Sequence, residues 1–142
     1  MKRSLLVLLS TLLLSIASIA SDNTAKGLNV LITSQDAQTQ MMGMVLSMMT
    51  LKQKKEVNIT LCSKAGDLAV KGLQSPILKP LDKSPKMMLQ ALIKKGAKVE
   101  VCPLFLPNAS LEKSVLLDGI SVAKPANVAS SLLNKDYQNL SF

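Results

Sequence analysis

The sequence alternates short apolar or β-branched runs with longer segments that have helical spacing. The strand-like runs are residues 27–33, 56–62, 96–102 and 119–122, and the helical ones are 37–51, 84–95 and 125–134. Strands that alternate with helices predict βαβ units and a mainly parallel sheet covered on both faces. We therefore expect an α/β, three-layer fold with a sheet of four to five strands, in the flavodoxin-like order 2-1-3-4. Residues 135–142 are expected to form a tail.

Local signals predict where the helices begin and end. Ser34 or Asp36 can cap the first helix, Ser84 can cap the second, and Gly96 is expected to end the second. Shorter helical segments are expected at residues 68–72 and 111–117, and an apolar loop at residues 104–108.

The first twenty residues have the pattern of an export signal. Lys2 and Arg3 precede an apolar stretch over residues 5–14, and Ser18-Ile19-Ala20 provides a small-x-small cleavage site. We expect cleavage after Ala20, a periplasmic or secreted protein, and a single domain over residues 21–142. A membrane anchor is the alternative, but the apolar stretch is shorter than the ~20 residues needed to span a bilayer.

Composition excludes several classes of function. The formal net charge is +8, yet the chain has one Tyr, two Phe and no Trp, so it offers almost no surface on which bases could stack. We expect no nucleic-acid partner, and no membrane contact after cleavage. The chain contains no His, which excludes Ser-His and Cys-His catalysis and every His-containing metal site. The sequence indicates no cofactor and no paired carboxylates for acid-base chemistry.

Cys102 is the candidate reactive residue. It ends a predicted strand, where open parallel sheets place ligands and reactive groups, and Pro103 behind it cannot continue the ladder. A thiolate there needs a nearby cation or helix N-terminus, which Lys98, Lys124 or a helical turn after Ser110 could provide. The alternative is a buried structural thiol.

Cys62 also ends a predicted strand, and in an oxidising compartment two cysteines commonly form a disulfide. With the strand order 2-1-3-4, however, Cys62 and Cys102 would lie two strand spacings apart, roughly 9–10 Å. Since that exceeds the ~7 Å limit between Cα atoms of a disulfide, an intramolecular bridge is disfavoured.

The first predicted helix carries two apolar stripes. One contains Met41, Met44, Val45 and Met48, and the other contains Met42, Leu46 and Met49. We expect one stripe to meet the sheet and the other to meet a neighbouring subunit. Residues 74–83, with Pro76 and Pro80, form the longest irregular segment and are a candidate contact loop. Copper(I) binding by Met41, Met44 and Met48, which share a face, is an alternative to packing, since thioethers suit that ion.

Four segments together resemble the DsrE/DsrF-like family: residues 29–33, residues 57–62 with 65–71, the run SPKMMLQALIKKGAKVEVC at 84–102, and GISV at 119–122. The resemblance implies a small α/β domain that assembles into oligomers, often trimers or hexamers. It also implies sulfur transfer through a cysteine persulfide, which members perform in intracellular relays with partner proteins. That role is carried over here only onto Cys102.

Three functions remain open at this point. The first is a cysteine-based sulfur carrier or thiol redox protein that acts with a thiol or persulfide partner protein. The second is a non-enzymatic oligomeric binding module that uses the methionine-rich helix and residues 74–83. The third is a copper(I)-binding protein.

Overall fold

A computed structural model describes residues 24–142. The predicted signal segment, residues 1–20, lies outside the described residues. Within the described part of the chain, no helix has the length and apolar character needed to cross a membrane. The strands are β1 (Gly27–Ile32), β2 (Glu56–Leu61), β3 (Lys98–Val101), β4 (Ile120–Val122) and β5 (Tyr137–Ser141). The α-helices are α1 (Ala37–Lys52), α2 (Pro85–Lys94), α3 (Phe105–Asn108) and α4 (Pro125–Leu132).

The strands form one parallel five-stranded sheet in the order β4-β3-β2-β1-β5. The α/β class and the parallel sheet are confirmed, but the expected order 2-1-3-4 is wrong. After β2 the chain continues outward to β3 and β4, so β3 pairs with β2 and not with β1. The free edge of β1 is taken by β5, which pairs over Gly27–Leu31.

The fifth strand corrects the expectation of a tail over residues 135–142. This strand lies at an edge of the sheet and carries the polar residues Gln138, Asn139 and Ser141, all exposed. It therefore lacks the apolar run that marks a buried strand in a sequence. The backbone continues the pairing past β5, because Phe142 O accepts hydrogen bonds from Thr33 N at 2.6 Å and from Ser34 N at 3.3 Å.

The hydrophobic core lies between one face of the sheet and the helices α1 and α2. Side chains alternate along each strand, so β1, β2 and β3 present every second residue to these helices. One methionine stripe of α1 packs here as expected, because Met41, Met44 and Met48 are at most 7% exposed. The other core residues on the strands and α2 are Val30, Ile32, Val57, Ile59, Leu61, Val99, Val101, Met88, Leu89 and Leu92.

The opposite face of the sheet is polar and is covered over β1 and β5 by α4. Asn29, only 4% exposed, donates from Nδ2 to Ser131 O of α4 at 2.7 Å and to Asn139 Oδ1 at 3.0 Å. Asn58 Nδ2 in turn donates to Asn29 Oδ1 at 3.0 Å, and Asn139 Nδ2 donates to Leu132 O at 2.7 Å. This amide network satisfies the buried polar groups and joins α4 to three strands.

Local signals place most element boundaries. Asp36 caps α1 by accepting from Thr39 N at 2.8 Å, and Ser84 caps α2 by accepting from Met87 N at 3.2 Å. Gly96 ends the turn after α2 at φ 95°, a conformation that suits glycine. Three short segments differ from expectation: residues 63–69 are 3-10 helix instead of 68–72, residues 105–108 are helical, and only 113–115 of the turn at 111–117 are helical.

Candidate functional site

The two cysteines lie side by side at the carboxyl edge of the sheet. The last residue pair of β2 and β3 is Leu61 with Val101, and Cys62 and Cys102 directly follow it. Cys102 N–H still donates to Leu61 O at 2.8 Å, and Cys62 N–H donates to Ile32 O at 2.9 Å. The expected separation by two strand spacings is therefore wrong, because β3 is the direct neighbour of β2. Both thiols are free in this structure.

Both thiols open into one pocket of about 490 Å³. The side chains of both cysteines are half-buried, so neither is sealed in the core. Prediction and structure agree here, since Cys102 lies at the accessible rim of a parallel sheet. Polar and apolar residues from the two loops after β2 and β3 share the lining: Cys62, Ser63, Lys64, Asp67, Cys102, Leu104, Phe105, Asn108 and Ala109.

The loop sequences explain how the pocket is built. Pro103 follows Cys102 and has no N–H, so the chain leaves the ladder and turns into α3, where Phe105 N donates to Cys102 O at 3.0 Å. On the other side, the 3-10 segment starts at Ser63, whose φ is 52°. The ring of Phe105 lies directly over Gly66, where an added Cβ would be 2.3 Å from the ring atom Cδ2. The pocket wall therefore requires glycine at position 66.

The thiol of Cys62 holds its proton strongly. Burial, a hydrogen bond with Cys102 and the charge of Cys102 together raise the pKa of Cys62 to about 12. The charge of Cys102 acts in this direction because a thiolate beside Cys62 disfavours a second negative charge. The local environment of Cys62 therefore favours its neutral thiol form.

The cation at the pocket is not one that the sequence predicted. Lys98 lies at the opposite end of β3, four residues from Cys102, and pairs with Glu100 at 3.0 Å. Lys124 caps α4 and Ser110 follows α3, and neither lines the pocket. Lys64 does line it, together with Asp67. The sequence signal that could have identified Lys64 is its position two residues after Cys62.

A second candidate surface joins the two contact segments that the sequence predicted separately. The outer stripe of α1 is exposed, with Met42 at 52%, Leu46 at 37% and Met49 at 43%. The N-terminal half of this helix faces the loop 74–83 across a groove of about 450 Å³. The groove is lined by Gln38, Met41, Met42, Val45, Leu78, Lys79, Pro80 and Leu81.

The loop 74–83 is attached to the domain at its base. Lys86 Nζ donates to Leu73 O at 2.7 Å and to Val70 O, so one ammonium group caps two carbonyls before the loop. Burial lowers the pKa of Lys86, and the nearby carboxylate of Asp67 opposes that shift. Lys86 therefore fixes where the loop leaves the body of the protein.

The described residues contain no group of three or more His, Cys, Asp or Glu side chains that could hold a metal ion. The three methionines considered for copper, Met41, Met44 and Met48, pack in the hydrophobic core against the sheet. Packing is therefore the role that the structure gives to this stripe, while the exposed stripe contains only two methionines, Met42 and Met49.

Comparisons with solved structures identify the fold. No family model matches the sequence, and no curated protein sequence matches it. YchN from E. coli superposes with a TM-score of 0.69 at 17% identity, over 84% of this chain and 100% of its own. MTH1491 from Methanobacterium thermoautotrophicum superposes with a TM-score of 0.62 at 10% identity, over 82% of this chain and 98% of its own. BT1422 from Bacteroides thetaiotaomicron superposes with a TM-score of 0.56 at 20% identity, over 82% of this chain and 95% of its own. The chain therefore has the DsrE/DsrF-like α/β fold that its sequence resembles.

Proposed function

We propose that this protein is an exported sulfur carrier in which Cys102 accepts sulfur as a persulfide and passes it to a partner thiol. The observation that carries the proposal is the open pocket that Cys102 shares with a second thiol at the carboxyl edge of the sheet. In the transfer, the Cys102 thiolate attacks the outer sulfur of a donor persulfide. A new S–S bond forms on Cys102, the donor S–S bond breaks, and the donor leaves as a thiolate, so no external oxidant is needed.

The surroundings of Cys102 suit this chemistry. The neighbouring Cys62 keeps its proton because its pKa is raised to about 12, and it can donate a hydrogen bond to an anionic sulfur on Cys102. Lys64 brings a positive charge to the same pocket, and Phe105 and Leu104 supply apolar surface for a polarizable sulfur atom. A thiol redox role at the same two residues is the close alternative.

The test is sulfur uptake measured by intact mass. Purified protein is treated with a small-molecule persulfide, desalted and weighed, and the modified residue is located by peptide mapping. We expect the mass of one sulfur atom on Cys102 in the Cys62→Ser variant, and no stable addition to Cys102→Ser. Equal addition to Cys102→Ser, or none to any variant that retains Cys102, would contradict the sulfur-carrier role.

The second candidate function is an oligomeric binding module. It is favoured by the apolar groove between α1 and the loop 74–83 and by the exposed Met42, Leu46 and Met49. We infer that a homo-oligomer, a trimer or hexamer, forms through the outer stripe of α1. Light scattering after size exclusion tests this: Met42→Glu should lower the mass toward that of a monomer. Leu133→Glu is the control, because Leu133, which directly follows α4, is 85% exposed and lies outside the groove.

Export is proposed from the sequence pattern of residues 1–20. Expression of the full chain in a bacterial host, followed by fractionation and N-terminal mapping, tests it. We expect protein that begins at Ser21 in the periplasm or medium. Full-length protein retained in the cytoplasm would contradict export and leave the thiol chemistry to be judged separately.

A further inference from the structure

Cys62 has a position that the sulfur-carrier role does not itself require. We propose that Cys62 is the resolving thiol of this site: it attacks a persulfide on Cys102, forms a Cys62–Cys102 disulfide and releases the bound sulfur as hydrosulfide. This inference rests on the proposed function, because it needs a persulfide on Cys102. It assigns a product, hydrosulfide, and a catalytic residue, Cys62, to the same pocket.

The geometry of the sheet brings the two sulfurs together. Cys62 and Cys102 follow a register pair on adjacent parallel strands, and the alternation of side chains places both on the polar face with Thr60 and Glu100. Neighbouring strands are about 4.8 Å apart, which lies within the ~4.4–6.8 Å range of Cα separations in disulfides. Each cysteine is the first residue beyond its strand, so small adjustments for an S–S bond fall on loop backbone and leave the ladders in place.

The charge on Cys102 determines when Cys62 can react. While Cys102 is a thiolate, its charge and its hydrogen bond help to raise the pKa of Cys62, and Cys62 remains an unreactive thiol. A protonated persulfide on Cys102 removes the thiolate charge. Burial, the first cause of the raised pKa, persists, so release should be slow. Lys64 and Asp67 are the charged side chains of the pocket lining, and their opposite charges partly offset each other.

The step balances within the pair. Cys62 loses its proton, its sulfur bonds to the Sγ of Cys102, and the bond from that Sγ to the outer sulfur breaks. The outer sulfur leaves with the electron pair and a proton as hydrosulfide, so it is reduced while the sulfur of Cys62 is oxidised. The Sγ of Cys102 already has the oxidation state of a disulfide sulfur and keeps it. A dithiol reductant then returns both cysteines to thiols and becomes a disulfide itself. The site can then accept sulfur again.

A single-turnover experiment tests the inference. Protein is loaded with a small-molecule persulfide and rapidly desalted, then hydrosulfide and intact mass are followed over time. Wild type should release about one hydrosulfide for each Cys62–Cys102 disulfide formed, whereas Cys62→Ser should keep its sulfur at least tenfold longer. A second arm treats unloaded folded wild type with diamide, a thiol oxidant, and maps the cross-linked peptide. We expect an intramolecular Cys62–Cys102 bridge.

The outcomes separate this inference from the function on which it rests. Sulfur held equally long by wild type and Cys62→Ser, or hydrosulfide released without disulfide, would overturn the resolving role and leave Cys102 as a carrier. Failure of diamide to bridge the folded protein would do the same. Absence of sulfur uptake by Cys62→Ser would overturn the carrier role itself, and the resolving role with it.

Discussion

Replacement of Gly66 by alanine tests the construction of the thiol pocket. A Cβ on Gly66 would lie 2.3 Å from Cδ2 of Phe105 and 2.5 Å from both Cε2 and Cγ, well inside the 3.4–4 Å of ordinary contact. The backbone at Gly66 does not have a positive φ, so the penalty is steric. Because the Phe105 ring is buried, it cannot turn away without opening the core. Overpacking of this kind lowers the free energy of unfolding by about 1–3 kcal/mol.

The assay is thermal unfolding with a double-mutant cycle. A domain of this size loses about 4 °C in Tm per kcal/mol, so Gly66→Ala should lower Tm by about 4–12 °C. Phe105→Leu removes the ring, so the double variant should be more stable than the sum of the single effects predicts, by about 1 kcal/mol or more. Gly43→Ala is the control, because its new methyl would lie 3.0 Å from Cδ1 of Ile32 and 3.4 Å from Cδ2 of Phe142, which are longer contacts than those at Gly66, and because alanine favours helix.

Two results would refute the reasoning about Gly66. The first is a Gly66→Ala protein as stable as wild type, which would mean that the ring does not lie over the glycine. The second is strict additivity with Phe105→Leu, which would place the clash elsewhere. Because Phe105 also lines the pocket, alkylation of Cys102 in Gly66→Ala should differ from wild type in rate.

Three further predictions concern the thiols, the amide network and the core. In folded wild type, the alkylation rate of Cys62 should rise about tenfold per pH unit from pH ~7 to ~10 without levelling off. Only the thiolate reacts, and the pKa of Cys62 is raised to about 12. Peptide mapping measures this rate, and a plateau in that pH range would contradict the prediction. Asn29→Asp should lower the free energy of unfolding, measured in urea, by about 2–4 kcal/mol, because a buried carboxylate cannot donate to Ser131 O. Asn127→Asp, at an exposed position, is the control and should change that free energy little. Equal losses in the two variants would argue against the amide network. Leu89 is 0% exposed, so Leu89→Ala should lower the free energy of unfolding in urea by about 2–5 kcal/mol. A loss below about 1 kcal/mol would show that Leu89 is not tightly packed.

The sequence predicted elements whose signals are local. The Asp36 and Ser84 caps, the glycine at 96 and the period of the α1 methionines depend on a few neighbouring residues, and the structure contains each of them. β5 was missed because an edge strand with polar side chains has no buried run.

The site was predicted only in part, since its composition depends on strand order. Position at a strand end identified Cys102, but the pairing of β3 with β2 decides which thiol lies beside it. Nothing in the segments 56–62 and 96–102 distinguishes that pairing from the order 2-1-3-4, because both orders bury the same alternating residues. The same ambiguity left Lys64 unrecognised, because this residue follows β2 and lines the pocket beside Cys102 only when β2 is the neighbour of β3.

The parallel direction of all five strands gives the domain two chemically different ends. The thiols lie at one end, while the other carries the Lys26–Asp136 ion pair at 2.6 Å and the bond from Tyr137 Oη to Glu56 at 2.5 Å. Exposed Lys135 lies in the turn that leads into this second end. A biosensor chip that captures the protein through position 135 would therefore orient every copy with its two thiols toward the flowing analyte.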